Sequence, residues 1–180
     1  FITGVDSVLS GTVRPRTARF AEARLNDGQR LLAFNDLFIG TSSHISARYK
    51  LNFKECEEQQ SSSGIIISTK AGATGWLSSI FNMAYGVTAV FEKGLQKKVP
   101  ELDDNTLFYT VREPFISKYS QANMISGFIN GRERLTINSL MPANGVIFSD
   151  GIESDFLRFN SGSIAEIGIA KEVANLVISE

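Results

Sequence analysis

The stretch from Gly64 to Trp76, GIIISTKAGATGW, places hydroxyls, glycines and a helix start at a spacing that suits a phosphate or a ribose. Thr69 and Thr74 supply hydroxyls, and Ala71, Gly72, Ala73 and Gly75 are small enough to let a ligand approach the main chain. The run Ile65–Ile67 reads as a strand buried on both faces, and a helix follows the loop. Such a connection is expected to expose backbone N–H groups beside the partial positive charge of a helix start, about half an elementary unit. The loop lacks GxxxxGK and GxGxxG, so it is neither a P-loop nor a Rossmann fingerprint. On spacing alone, a tight turn closed by a Thr74 cap is the better account.

A second constellation is Asn35-Asp36, a polar pair inside the otherwise apolar run RLLAFNDLFIG. An amide and a carboxylate can accept hydrogen bonds from the two hydroxyls of a ribose. The competing account is a strand end or bulge where polar groups meet water. His44 stands in the polar stretch TSSHIS and reads as a surface histidine. Arg112 and Glu113 read as a cross-strand ion pair, Asp150-Gly151 as a hairpin turn and Lys70 as a surface lysine. No metal-ligand spacing is present, so no metal site is expected in the chain itself.

The elements that position these residues are mostly strands. ISARYKLNF alternates, with Ile45, Ala47, Tyr49, Leu51 and Phe53 on one face. TLFYTVREP, RLTINSL, GVIFSDG, DFLRFNSG, IAEIGIA and NLVIS read as further short strands. EEQQSSSG reads as an exposed linker, and GLQKKVPELDDNT as loop. One principal helix is predicted over TGWLSSIFNMAYG, ending at Gly86. The result is a mainly β, sandwich-like domain with one principal helix.

The chain has 180 residues, 43% of them hydrophobic, enough for a core and too apolar for disorder. Its 18 basic and 19 acidic residues, net charge −1, give no electrostatic case for nucleic acid or an anionic membrane surface. No apolar stretch has the length of a membrane span. The single cysteine, Cys56, excludes an internal disulfide and fits a reducing compartment. The sequence starts at Phe1 rather than Met and shows no basic stretch followed by an apolar one, so no signal peptide is visible in it and the chain reads as a fragment or an excised domain.

The motif SSGIIISTKAGATGW resembles the nucleotide-site motif of NAD kinases, with Gly64, Ser68, Thr69, Gly72 and Thr74 at matching positions. FNDLFIG resembles that family's second motif, an Asn-Glu pair, here Asn35-Asp36; FSDGIESDFLRFNSGSIAEIGIAKE resembles its Asp-Gly turn and following strands. The likeness is greatest to the divergent branch that includes mitochondrial NAD kinases, through Ser-Ser-Gly before the strand, Trp76, and Arg112-Glu113-Pro114. Ser63 stands where the common pattern has an acidic residue near the nicotinamide side, and Lys70 where it has proline.

The resemblance implies that residues 1–180 form a single β-rich dinucleotide-binding domain, the C-terminal half of an NAD kinase fold. The family's N-terminal α/β domain, with its Gly-Gly-Asp-Gly motif, is not in this sequence. The intact protein is then expected to phosphorylate the 2′-hydroxyl of the NAD adenosine ribose, with ATP as co-substrate and Mg²⁺ accompanying it. The chain alone is expected to be inactive, its catalytic residues lying upstream. Implied NAD contacts are Asn35 and Asp36 on the ribose, Ser63 toward the nicotinamide, Thr69, Gly72, Ala73, Thr74 and Gly75 around the adenylate, and Trp76 and Ser79 beside it. The alternatives are a non-catalytic nucleotide-binding module, or a lipid or sugar kinase of the same superfamily. Self-association as a dimer or tetramer and a cytoplasmic location, alternatively the mitochondrial matrix, are further expectations.

Overall fold

Period-two patterning builds two antiparallel sheets in a computed structural model that describes residues 2–177 apart from 12, 14, 93, 95 and 97. A short helix, α1 (Ile2–Leu9), precedes the first strand and was not expected from the sequence. The first sheet has the order β2 (Arg30–Ala33), β1 (Arg16–Leu25), β12 (Ile164–Leu176), β9 (Leu135–Ser139), β4 (Ala47–Phe53), β5 (Cys56–Ser62). The second has β11 (Phe156–Arg158), β10 (Gly145–Ser149), β3 (Asp36–Thr41), β6 (Ile65–Ser68), β7 (Thr106–Val111), β8 (Ser126–Asn130). The mainly β expectation with one principal helix is met.

The two sheets face each other across one core. Tyr49, Leu51, Ile137 and Ile167 from the first sheet meet Leu37, Ile39, Ile65, Ile67 and Ile129 from the second. The alternation in ARYKLNF is realised, with Ala47, Tyr49 and Leu51 fully buried, although Ile45 lies before the strand and is exposed. Of the strand expected at 175–179, residues 175 and 176 belong to β12, and 178–180 lie outside the described residues.

The principal helix, α2 (Trp76–Thr88), crosses the outer face of the second sheet. Trp76 and Ile80 pack on Phe38, Ile66, Val146 and Phe148. Leu77, fully buried, and Phe81 pack over Leu102 and Phe108. Strand β6 is thus covered on both faces, which is why Ile65, Ile66 and Ile67 run consecutively. The helix continues two residues past Gly86, since nothing there demands a left-handed residue. Among the described residues no helix is long and apolar enough to cross a membrane.

Two expectations need correction. EEQQSSSG is not an exposed linker. Its residues 57–62 form β5 with Cys56, paired in register with β4 from Ala47↔Ser62 to Phe53↔Cys56. Its inward positions Glu58, Gln60 and Ser62 are buried but polar, so the alternation is invisible to a hydrophobicity reading. They are satisfied internally: Tyr49 Oη lies 2.7 Å from Ser62 Oγ and donates to Gln60 Oε1 at 3.1 Å. The Glu58 carboxylate accepts the N–H groups of Asn123 at 2.9 Å and Met124 at 3.2 Å.

RLLAFNDLFIG, in turn, is two strands. β2 belongs to the first sheet and β3 to the second, so Phe34-Asn35 is the corner where the chain changes sheets.

Candidate functional site

The corner at Phe34-Asn35 is fixed from three directions. The Asp150 carboxylate, in the turn after β10, accepts backbone N–H groups from Phe34 at 2.9 Å, Asn35 at 2.6 Å and Asp36 at 3.2 Å. In return the Asp150 N–H donates to Asp36 O at 2.9 Å. Asp150 is therefore the anchor of the corner as well as a turn residue, with φ of 53°. Thr69 holds the other side: its N–H donates to Asn35 O at 2.9 Å and its hydroxyl to Phe34 O at 2.5 Å.

The turn after β6 closes against this corner. Thr69 Oγ1 accepts the N–H groups of Ala71 at 3.1 Å and Gly72 at 3.3 Å. A 3₁₀ turn follows at Gly72–Thr74, and the Gly75 N–H donates to Gly72 O at 2.9 Å. The expected cradle of free amides is thus absent at Thr69, Ala71, Gly72 and Gly75, whose N–H groups all have protein acceptors. Gly72 is required by contact: a Cβ there would lie 2.3 Å from Asn35 O and 2.8 Å from Asp36 Oδ1. Thr74 is not a helix cap; Gly75 occupies that position, and no side chain caps α2.

What the turn leaves open are side chains. Thr74, Gly75 and Ser79 are exposed around the uncapped helix start, while Ala73 packs into the cluster under Leu77. The Asn35 amide makes no hydrogen bond among the described residues. Asp36 accepts the Ser68 hydroxyl on Oδ1 and leaves Oδ2 without a protein donor among them. Burial pushes the Asp36 carboxyl up to about 6; the Ser68 hydroxyl opposes this and the Asp150 charge adds to it. An amide and a half-buried carboxylate oxygen thus stand together beside a helix start, an arrangement that accepts donors such as vicinal hydroxyls.

Beyond the far end of β6, at Ser63, the chain borders a cleft of about 630 Å³. Its floor is aromatic. Trp76 stacks on Phe38 with centroids 5.7 Å apart, and Phe38 on Phe148 at 4.8 Å. The Phe38 ring lies across Gly40 and Gly64, where added Cβ atoms would meet it at 2.6 and 2.7 Å. Its rim carries Ser63, His44, Arg112, Glu113 and Glu153. His44 is exposed, as expected of a surface histidine, and lines this cleft.

Arg112 and Glu113 do not pair with each other. The Arg112 guanidinium lies 5.5 Å from the Trp76 centroid, and the Glu113 carboxylate accepts the Ser63 hydroxyl. Lys70 ion-pairs with Asp104 at 3.3 Å. Of the residues expected to touch a nucleotide, Asn35, Asp36, Thr69 and Gly72 are in mutual contact, Thr74, Gly75 and Ser79 flank them, and Ser63 and Trp76 line the cleft beyond. The sequence reading missed Asp150 as an anchor and Glu113 as a cleft carboxylate. Among the described residues no group of three or more His, Cys, Asp or Glu is placed to hold a metal ion.

No protein-family model and no curated protein sequence matches the chain. Among solved structures it is similar to yeast NADH kinase complexed with NADH, with a TM-score of 0.69 and 12% sequence identity. That match covers 99% of this chain and 48% of the yeast chain, so the sequence spans about half the length of that kinase. The likeness is one of architecture: the chain has an NAD kinase-like fold, mainly β, with two antiparallel sheets and one principal helix.

Proposed function

We propose that this chain is the dinucleotide-binding half of an NAD kinase-like enzyme. The intact protein would transfer a phosphoryl group from ATP to the 2′-hydroxyl of the NAD adenosine ribose, with Mg²⁺ carried by the ATP phosphates. The observation that carries this reading is the pairing of Asn35 and Asp36 at the sheet corner, each with polar capacity that no described residue uses.

In this reading Asn35 and Asp36 hold the ribose hydroxyls and orient the one to be phosphorylated. Asp150 and Thr69 keep the corner rigid. Thr74, Gly75 and Ser79 border the adenylate, and the aromatic cleft takes the far half of the dinucleotide. Phosphoryl transfer depends mainly on positioning and electrostatics, and this half would contribute positioning. We propose in addition that the domain self-associates, which fits the exposed apolar residues Met83, Val87, Val90 and Phe91 along and just past α2.

The test is titration of the chain with NAD by calorimetry, and assay of the intact protein with NAD and ATP–Mg²⁺. Saturable binding by the chain and formation of NADP by the intact protein support the reading. Binding without turnover reduces it to a nucleotide-binding module, and no NAD binding overturns it.

A further inference from the structure

The cleft beyond the ribose corner carries a carboxylate that its own strand does not require. Strand β7 ends at Val111, paired with Ile65. The pairing continues through two backbone hydrogen bonds, Arg112 N–H to Gly64 O at 2.8 Å and Ser63 N–H to Arg112 O at 2.9 Å. Glu113 follows with φ of 48°, a left-handed conformation that a residue with a Cβ adopts rarely. That conformation, between a ladder pair and Pro114, places an exposed glutamate at the cleft wall. The Ser63 hydroxyl then donates to its Oε2 and fixes the carboxylate. Neither Glu113 nor Glu153, the other carboxylate of the cleft, has a cationic partner among the described residues.

We propose that Glu113, oriented by Ser63 at the rim of the aromatic cleft, selects the oxidised, positively charged form of the nicotinamide ring over the reduced, neutral one. This rests on the dinucleotide reading above. The faces of Phe38 are taken by Trp76 and Phe148, and Trp76 carries Arg112, so the discriminating group is the carboxylate, whose Coulomb attraction for a cationic ring is strengthened by the apolar floor. The neutral ring gains no such attraction. Arg112, adjacent in sequence and placed over Trp76, carries the opposite charge and suits the anionic pyrophosphate. Neighbouring residues of opposite sign thus match a ligand that is cationic at one end and anionic in its middle. His44 and Glu153 complete the polar rim, and the two carboxylates against one guanidinium leave it net acidic.

Calorimetric titration of the chain with oxidised and with reduced NAD tests this. Trp76, the only tryptophan, reports occupancy of the cleft independently by its fluorescence. The unaltered chain is expected to bind the oxidised form about tenfold more tightly, the value of one well-placed charge interaction. Glu113→Gln removes that preference by weakening only the oxidised form. Glu113→Asp retains part of it, and Ser63→Ala lowers it by releasing the carboxylate. Equal affinities in the unaltered chain, or a ratio that Glu113→Gln leaves intact, overturn the inference and leave dinucleotide binding standing. Binding of neither form overturns both together.

Discussion

Asp150 takes the backbone N–H of Asn35 at 2.6 Å across 115 residues of sequence, and so joins the turn after β10 to the corner between the sheets. The same carboxylate holds the amides on either side, and no other side chain serves all three. The candidate ribose site depends on this acid, whose carboxylate is engaged by the backbone of the corner.

Replacing Asp150 with alanine is expected to lower stability by about 3 kcal/mol, because three charge-assisted bonds to backbone amides are lost together. Asp150→Asn, which keeps one acceptor oxygen, should cost less. Urea unfolding of the two variants measures both, and the larger loss must accompany weaker nucleotide binding.

Binding should depend on pH through Asp36. Burial raises its carboxyl to about 6, well above the ordinary aspartate range. Its contribution to folding is therefore fully present below about 3.8 and is lost as pH rises through about 6. Ribose hydroxyls donate to the ionised form, so the ligand draws the proton off. Affinity for NAD should be flat above pH 7 and fall by up to about tenfold per unit below pH 6. Asp36→Asn should bind weakly with no such slope, which titrations at several pH values would reveal.

Two glycines should respond to alanine with opposite signs. At Gly72 the new methyl would strike the Asn35 carbonyl at 2.3 Å, and backbone cannot rotate aside as a side chain does. Gly72→Ala is expected to cost about 1–3 kcal/mol and to loosen the corner. Gly86, inside α2, faces open space, and Gly86→Ala should stabilise by up to about 1 kcal/mol. Thermal or denaturant unfolding distinguishes the two.

Glu58 should be as important to the fold as an apolar core residue. Burial alone would raise its carboxyl, but Gln60 and the amides of Met124 and Asn123 outweigh that and hold it low. The stability it confers is present above the usual glutamate range and disappears as pH falls through its lowered value. Glu58→Ala leaves the amides of Asn123 and Met124 without an acceptor, and about 2–3 kcal/mol of destabilisation is expected in urea melts at pH 7.

The fold was legible where burial and hydrophobicity coincide. Tyr49 and Leu51 alternate visibly, and Ile65–Ile67 announce a strand covered twice. It was illegible at β5, where the inward positions are Glu58, Gln60 and Ser62 and pattern reading sees only polarity. The polar pair Asn35-Asp36 stood out in sequence because it breaks an apolar run. Its cause, a change of sheets, appears only once the pairing is known. Glu113 stood out only within Arg112-Glu113-Pro114, and nothing local pointed to the cleft. Its meeting with Ser63 is set by β6–β7 pairing, a relation between distant segments.

Strand β5 contains no aliphatic or aromatic side chain, and it forms one margin of its sheet. A segment of that composition gains little from burying apolar surface, and its place rests on the polar contacts of Ser62 with Tyr49 and of Glu58 with the Asn123 amide. Its outer edge is not bare: the Phe115 N–H donates to Ser61 O at 2.8 Å and the Gln121 N–H to Gln59 O at 2.9 Å. A foreign strand seeking to zip on would find those carbonyls taken.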